Sequence, residues 1–89
     1  MITGEFIYDS LKEINGVTFH LGRCVSGVIK VNDVFHNENS NPVLQVVEIH
    51  QINKKVEELP EGMTAGLLVR RLDESSIIFS SGKVFVVQS

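Results

Sequence analysis

Gly22-Arg23-Cys24-Val25-Ser26-Gly27-Val28-Ile29-Lys30-Val31-Asn32-Asp33-Val34-Phe35 is the stretch whose pattern decides the fold. It reads as a strand, a glycine turn at Gly27, a short strand over Val28 and Ile29, a Lys-x-Asn-Asp turn, and a further strand. Asn32 suits the turn because asparagine tolerates the left-handed backbone region better than other non-glycine residues. On the N-terminal side, Val17-Thr18-Phe19-His20-Leu21 alternates apolar and polar residues, as a half-buried strand does. The phase then slips: Gly22 and Arg23 interrupt it, and Cys24 and Val25 are adjacent apolars. A glycine at such a slip marks a bulge or sharp bend, the device by which small barrels turn corners.

The same grammar extends along the chain. Val, Ile, Thr and Phe fill the periodic segments, and Gly, Asn, Asp, Ser and Pro punctuate them. Residues 3–8 form a first strand. Residues 9–16 are expected to be a loop closed by Asn15-Gly16, a strong hairpin signal, with helical spacing between Leu11 and Ile14. Residues 36–42 lack apolar side chains and predict a solvated loop. Residues 43–52 make the longest apolar-rich segment, with Val47 and Ile49 alternating against Glu48 and His50 and a second slip at Gln51. Residues 54–62 are charged, contain Pro60, and predict a loop with a helical turn near 56–59. Gly66-Leu67-Leu68-Val69 and Lys83-Val84-Phe85-Val86-Val87 read as strands. So many short strands with sharp bends predict an all-β fold, a small closed antiparallel Greek-key barrel of six or seven strands.

At 89 residues the chain is expected to be one domain. A chain of this length buries roughly 60–65% of its unfolded surface, enough for one modest core. Hydrophobic residues make up 43% and charged residues 21%, a balance that suits a soluble surface. No 18-residue apolar run is present, so no membrane span is expected. Met1-Ile2-Thr3-Gly4-Glu5 lacks the basic and apolar regions of a cleaved signal. The single Cys24 cannot form an internal disulfide. Together these predict a cytoplasmic protein with a buried, inert thiol. Net charge is −3, and there are six aromatics, none of them Trp. A nonspecific nucleic-acid binder usually carries a basic excess. Here only a local patch built from the doublets Lys54-Lys55 and Arg70-Arg71 offers phosphate contacts.

The glycine and turn motifs resemble the β-barrel that follows the GTPase domain in elongation factor Tu and related translation factors. That family's Gly-Arg-Val, Gly, two apolars and Lys-x-Gly-Asp become Gly22-Arg23-Cys24, Gly27, Val28-Ile29 and Lys30-Val31-Asn32-Asp33 here. Its Ala-Gly-x-x-Val-Gly-x-x-Leu-Arg-Gly resembles Glu61-Gly62-Met63-Thr64-Ala65-Gly66-Leu67-Leu68-Val69-Arg70, and Gly82-Lys83-Val84-Phe85 is similar to its closing Gly-x-Val-Leu. The resemblance spans roughly residues 3–87. Asn32 and Arg71 stand where the family has Gly, and residues 73–81 carry a small insertion. The resemblance implies a barrel with a binding role toward RNA or the ribosome.

No nucleotide hydrolysis is expected. Gly22 to Gly27 has phosphate-loop spacing, but Val28 replaces the required Lys and a strand follows instead of a helix. Asn53-Lys54-Lys55-Val56 is similar to a guanine-reading Asn-Lys-x-Asp with Val56 in place of the Asp. No Gly-x-Ser-x-Gly elbow is present, so no catalytic residues are assigned. Glu48 and His50 share a strand face as two metal ligands would, but a polar outer face explains them better, and no metal or cofactor is expected. Lys54, Lys55, Arg70 and Arg71 are the candidate RNA or partner contacts, with Glu57, Glu58, Asp73 and Glu74 near enough in sequence to neutralise them. Arg70 has apolar neighbours and is also suited to packing its stem at a strand end. Ile77, Ile78 and Phe79 are the candidate apolar contact, because three consecutive apolars cannot all face inward from one strand. The sequence therefore predicts a non-enzymatic binding module for RNA or the ribosome. The alternative is a protein–protein adaptor or self-assembling subunit, with homo-oligomerisation through the 77–79 run.

Overall fold

The computed structural model describes residues 1–73, 77 and 79–88. Among them eight strands form: β1 (Ile2–Ile14), β2 (Val17–Lys30), β3 (Val34–His36), β4 (Pro42–Gln51), β5 (Lys54–Val56), β6 (Glu58–Pro60), β7 (Thr64–Arg71) and β8 (Val84–Gln88). Every pairing is antiparallel. The order β1-β8-β3-β4-β7-β2 closes through a β1–β2 pairing, giving a six-stranded barrel, and β5 and β6 add to β4 and β2 outside that ring. The β2-to-β3 and β7-to-β8 connections join strands that are not neighbours, which is the Greek-key feature expected from the sequence.

Residues 9–14 are not a loop. β1 continues to Ile14 and pairs with β2 down to Ile14↔Val17. Asn15 and Gly16 turn the chain with φ of 52° and 81°, both positive as a two-residue primed turn demands. The strand was masked in the sequence by a register shift between Tyr8 and Ser10, which leaves Asp9 unpaired and reverses the phase. Leu11 then faces His20 on one side of the ribbon while Ile14 faces Val17 on the other. The spacing that imitates a helix is a ribbon with apolar residues on both faces.

A second bulge explains the adjacent apolars Cys24 and Val25. Phe6 pairs with Cys24 and Glu5 with Ser26, so Val25 is the extra residue and only Cys24 enters the core. β2 runs unbroken through Gly27, whose φ is 65° and whose Cα passes so near Thr3 that an added Cβ would sit 2.2 Å from its carbonyl oxygen. The Lys30–Asp33 turn forms as expected. Asp33 N–H donates to the Lys30 carbonyl at 3.0 Å, the Asp33 carboxylate accepts from Lys30 N–H at 2.8 Å, and Asn32 takes φ of 77°. In β4 the slip falls at Val47, not Gln51: Val46 pairs with Val69 and Glu48 with Leu68, leaving Val47 unpaired and exposed. Residues 54–60, expected as a loop with a helical turn, are extended as β5 and β6 because β4 and β2 each offer an unpaired edge there.

Among the described residues no polar or charged residue is fully buried, and a row of rings crosses the core. Phe6, Phe35, Phe85 and Phe79 follow one another at centroid separations of 6.2, 5.6 and 5.5 Å. Tyr8 and His20 flank Phe79 at 5.5 and 4.3 Å. His20 Nδ1 is buried with no hydrogen-bond partner among the described residues, and burial pushes the His20 pKa below its ordinary value. The unfolded chain therefore takes up this proton near about pH 6.5 while the folded chain refuses it until lower pH. Stability is complete above that pH and falls as acid is added. The expected result is a melting temperature that drops between about pH 7 and pH 5.5, with a flatter profile in His20→Gln. Identical slopes for the two proteins would remove His20 as the cause.

Candidate functional site

Leu21 of β2, Gly66 of β7 and His50 of β4 lie side by side across three strands. Their neighbours Gly22 and Ala65 face the core, so by alternation these three face outward. Gly66 has no side chain, and its φ lies outside the left-handed region; what glycine supplies here is space. A Cβ at Gly66 would approach Leu21 Cδ2 at 3.0 Å and Phe19 Cβ at 3.4 Å. Leu21 and Phe19 thus close over Gly66, and all three line an open groove of about 1150 Å³. Ile7, Ile14, Phe19, Leu21 and Ile52 supply its apolar lining. The Phe19 ring meets the His50 ring edge-on at 4.8 Å.

Charge is distributed unevenly around this groove. Lys12, Arg23, Lys54 and Lys55 line it, against Asp9 as the single lining carboxylate among the described residues. The protein as a whole carries −3, so the cations are concentrated locally. Lys12 opposes Phe19 and Arg23 opposes Ile7 in the β1–β2 ladder, placing both on the outer face. Lys54 and Lys55 come from β5, opposite Gln51 and His50. Lys55 Nζ lies 3.7 Å from Glu48 Oε2, and Glu48 Oε1 shares a 2.7 Å hydrogen bond with His50 Nε2. That bond, with Lys55 behind it, holds the Glu48 carboxyl below the usual range. Glu48 and His50 thus share a face as expected, and they bond to each other. Among the described residues no group of three His, Cys, Asp or Glu side chains is placed to hold a metal ion.

The two basic doublets are not on one side of the barrel. Arg70 and Arg71 pair with Gln45 and Leu44, whereas Lys55 and Lys54 pair with His50 and Gln51 at the far end of the same strand. Gln45 and His50 lie five positions apart on β4, about 16 Å of extended chain. Arg70 Nη2 donates to Gln45 Oε1 across the ladder, so its guanidinium is held at the strand end by a side chain. Ile77 and Phe79 are half-buried and pack against the core. Ile78 lies outside the described residues. Lys12 and Arg23 were not visible as site residues in the sequence. Arg23 sat within a glycine motif, and Lys12 sat in a supposed loop. Alternation carried through the hairpin from Phe19 would have placed both. Cys24 is fully buried, its Sγ 3.3 Å from the Ser26 carbonyl oxygen, and burial pushes its thiol pKa up. Compared with known protein families and curated proteins, the chain matches no family model and no curated sequence.

Proposed function

We propose that this chain is a non-enzymatic binding module of translation-factor-barrel descent, and that it contacts RNA or the ribosome through the groove over Gly66. The observation that carries the reading is the concentration of Lys12, Arg23, Lys54 and Lys55 against Asp9 in a protein of net charge −3. Cations on a groove wall position a phosphate backbone, and the apolar floor with Phe19 accepts the face of a base. The barrel closure and the Lys30–Asp33 turn support the descent. A cytoplasmic location belongs to the same reading, which the buried, unpaired Cys24 supports. Among the described residues no helix is long and apolar enough to cross a membrane.

Binding of a mixed-sequence single-stranded RNA, followed by fluorescence anisotropy across a salt series, tests the proposal. Three to four neutralised phosphates give a slope of about −2 to −3 in log affinity against log salt. Charge reversal at Lys12 and Arg23 is expected to weaken binding about tenfold or more, and reversal at Arg70 and Arg71 much less. A flat salt response, or equal loss from both pairs, would exclude the groove as an RNA site. The exposed Ile52, 91% accessible at the groove edge, favours a protein partner as the second reading. Partners captured from lysate that persist after ribonuclease treatment would decide for it.

A further inference from the structure

On the outer face, Phe19 of β2, Gly66 of β7, His50 of β4 and Lys55 of β5 stand on successive strands. Gly66 contributes no side chain, so the Phe19 ring reaches across β7 to meet the His50 ring at 4.8 Å. Lys55 opposes His50 in the β4–β5 ladder, and opposed residues of antiparallel strands have Cβ atoms about 5 Å apart. An aromatic ring, an imidazole and an ammonium therefore follow one another in a row along the groove.

The imidazole in this row has a fixed hydrogen-bonding polarity. His50 Nε2 and Glu48 Oε1 are 2.7 Å apart. That bond, with Lys55 as a lesser cause, holds the Glu48 carboxyl below its usual range, so at neutral pH Glu48 is ionised and can only accept. The proton of the neutral ring must then sit on Nε2, which leaves Nδ1 as a lone-pair acceptor. Nδ1 makes no hydrogen bond to any described residue, and the His50 side chain is 36% exposed. The cations of the groove are donors with no lone pair to offer. Asn53, which also lines it, carries an amide that can turn to donate or to accept. His50 cannot turn without breaking its bond to Glu48.

We propose that His50 reads the ribose of the bound strand: Nδ1 accepts from a 2′-hydroxyl, and the groove thereby selects RNA over strands of equal charge. The contact rests on the RNA reading of the groove and adds to it the residue that recognises the sugar. In a nucleotide the 2′-hydroxyl lies between the base and the 3′-phosphate, and the row Phe19, His50, Lys55 repeats that order. With a base on Phe19 and the phosphate at Lys55, the sugar lies over His50. Of the three Lys55 donors, the 3.7 Å approach to Glu48 Oε2 engages one at most. The 2′-hydroxyl is the group by which a protein tells RNA from DNA. A strand without it leaves Nδ1 covered and unpaired, which costs more than the missing bond alone. Glu48 does not touch the strand; it is a positioning residue that keeps Nδ1 an acceptor.

Fluorescence anisotropy with the mixed-sequence RNA and its 2′-fluoro counterpart tests this at about pH 8, above the ordinary histidine range of about 6.5. Fluorine cannot donate a hydrogen bond, yet the sugar pucker, bases and phosphates are kept. The unaltered chain is expected to bind RNA about five- to tenfold more tightly than fluoro-RNA, the effect of one net hydrogen bond, with the same salt slope for both. His50→Phe keeps a ring against Phe19; it should bring RNA down to the fluoro-RNA affinity and leave fluoro-RNA binding unchanged. Glu48→Gln releases both the tautomer and Lys55, so affinity for the two probes should hold or rise while their ratio shrinks toward one. Circular dichroism verifies that each variant is folded. Equal affinities in the unaltered chain would overturn the ribose contact and leave the groove as an RNA site. A ratio unchanged in His50→Phe or in Glu48→Gln would overturn it as well. Absence of binding to either probe would remove the RNA reading and the ribose contact with it.

Discussion

Replacing Gly22 by alanine is expected to lower the melting temperature by roughly 15 °C or more, or to prevent folding, because a cost of about 3 kcal/mol is large for a domain of this size. Gly22 sits where β1, β2 and β7 meet, paired with Tyr8 on one side and Ala65 on the other. A Cβ there would lie 2.1 Å from the Ile7 carbonyl oxygen and 2.6 Å from Phe6 Cζ. Neither neighbour can give way cheaply. The Ile7 carbonyl belongs to the backbone of the paired strand, and the Phe6 ring is 1% exposed and filled around by the core. The aromatic ring covers the glycine and the glycine admits the ring, a pairing that fills the space over the strand without leaving a void. Gly66→Ala is the internal comparison. It lies in the same sheet, yet its new Cβ would meet the tip of Leu21 at 3.0 Å, a contact one rotamer adjustment relieves. Thermal unfolding followed by circular dichroism should separate the two by most of the Gly22 effect. Equal melting temperatures would mean that the close Phe6–Gly22 packing does not require a glycine.

The particular residues that made this fold legible are those whose local chemistry is decided by their neighbours in sequence. Asn15-Gly16 specified a hairpin turn, and Lys30 to Asp33 specified the second turn through an asparagine at positive φ. The slip expected at Gly22 and Arg23 falls instead at Val25, and β2 alternates without a break from Phe19 to Cys24. What escaped was set at longer range. Asp9 and Val47 are bulges, and a bulge inverts the apolar phase without any residue type that must accompany it. Lys54 to Pro60 became strands through edges supplied by β4 and β2, which no local window contains. The groove followed the same division. Lys54 and Lys55 stood out as a doublet, but Lys12 and Arg23 joined them only once the β1–β2 register was known. Arg70 and Arg71 looked equivalent in the sequence and were removed to the other end of β4 by the β4–β7 register.

Phe35→Ala should cost about 3–5 kcal/mol, a large share of the roughly 5–10 kcal/mol that holds a domain of this length together. Phe35 is 1% exposed and stands between Phe6 and Phe85. Its strand is the reason the loss should spread. β3 spans only Val34–His36, yet among the described residues it alone joins β8 to β4 and so closes one side of the barrel. Its ladder with β8 consists of Phe35↔Val87 and His36↔Val86, too few pairs to keep the seam shut once the ring beneath is gone. Phe79 occupies the other end of the ring row but is only half-buried and belongs to no strand. Phe79→Ala should therefore cost less, about 1–2 kcal/mol, and leave the seam closed. Urea unfolding distinguishes the two in kind as well as in size. If the seam opens, Phe35→Ala shows a reduced dependence on denaturant because part of the surface is already exposed, while Phe79→Ala shifts the midpoint alone. A Phe35→Ala protein with an unchanged slope and a loss below about 1.5 kcal/mol would mean that β3 is held by its backbone pairing and not by the aromatic row.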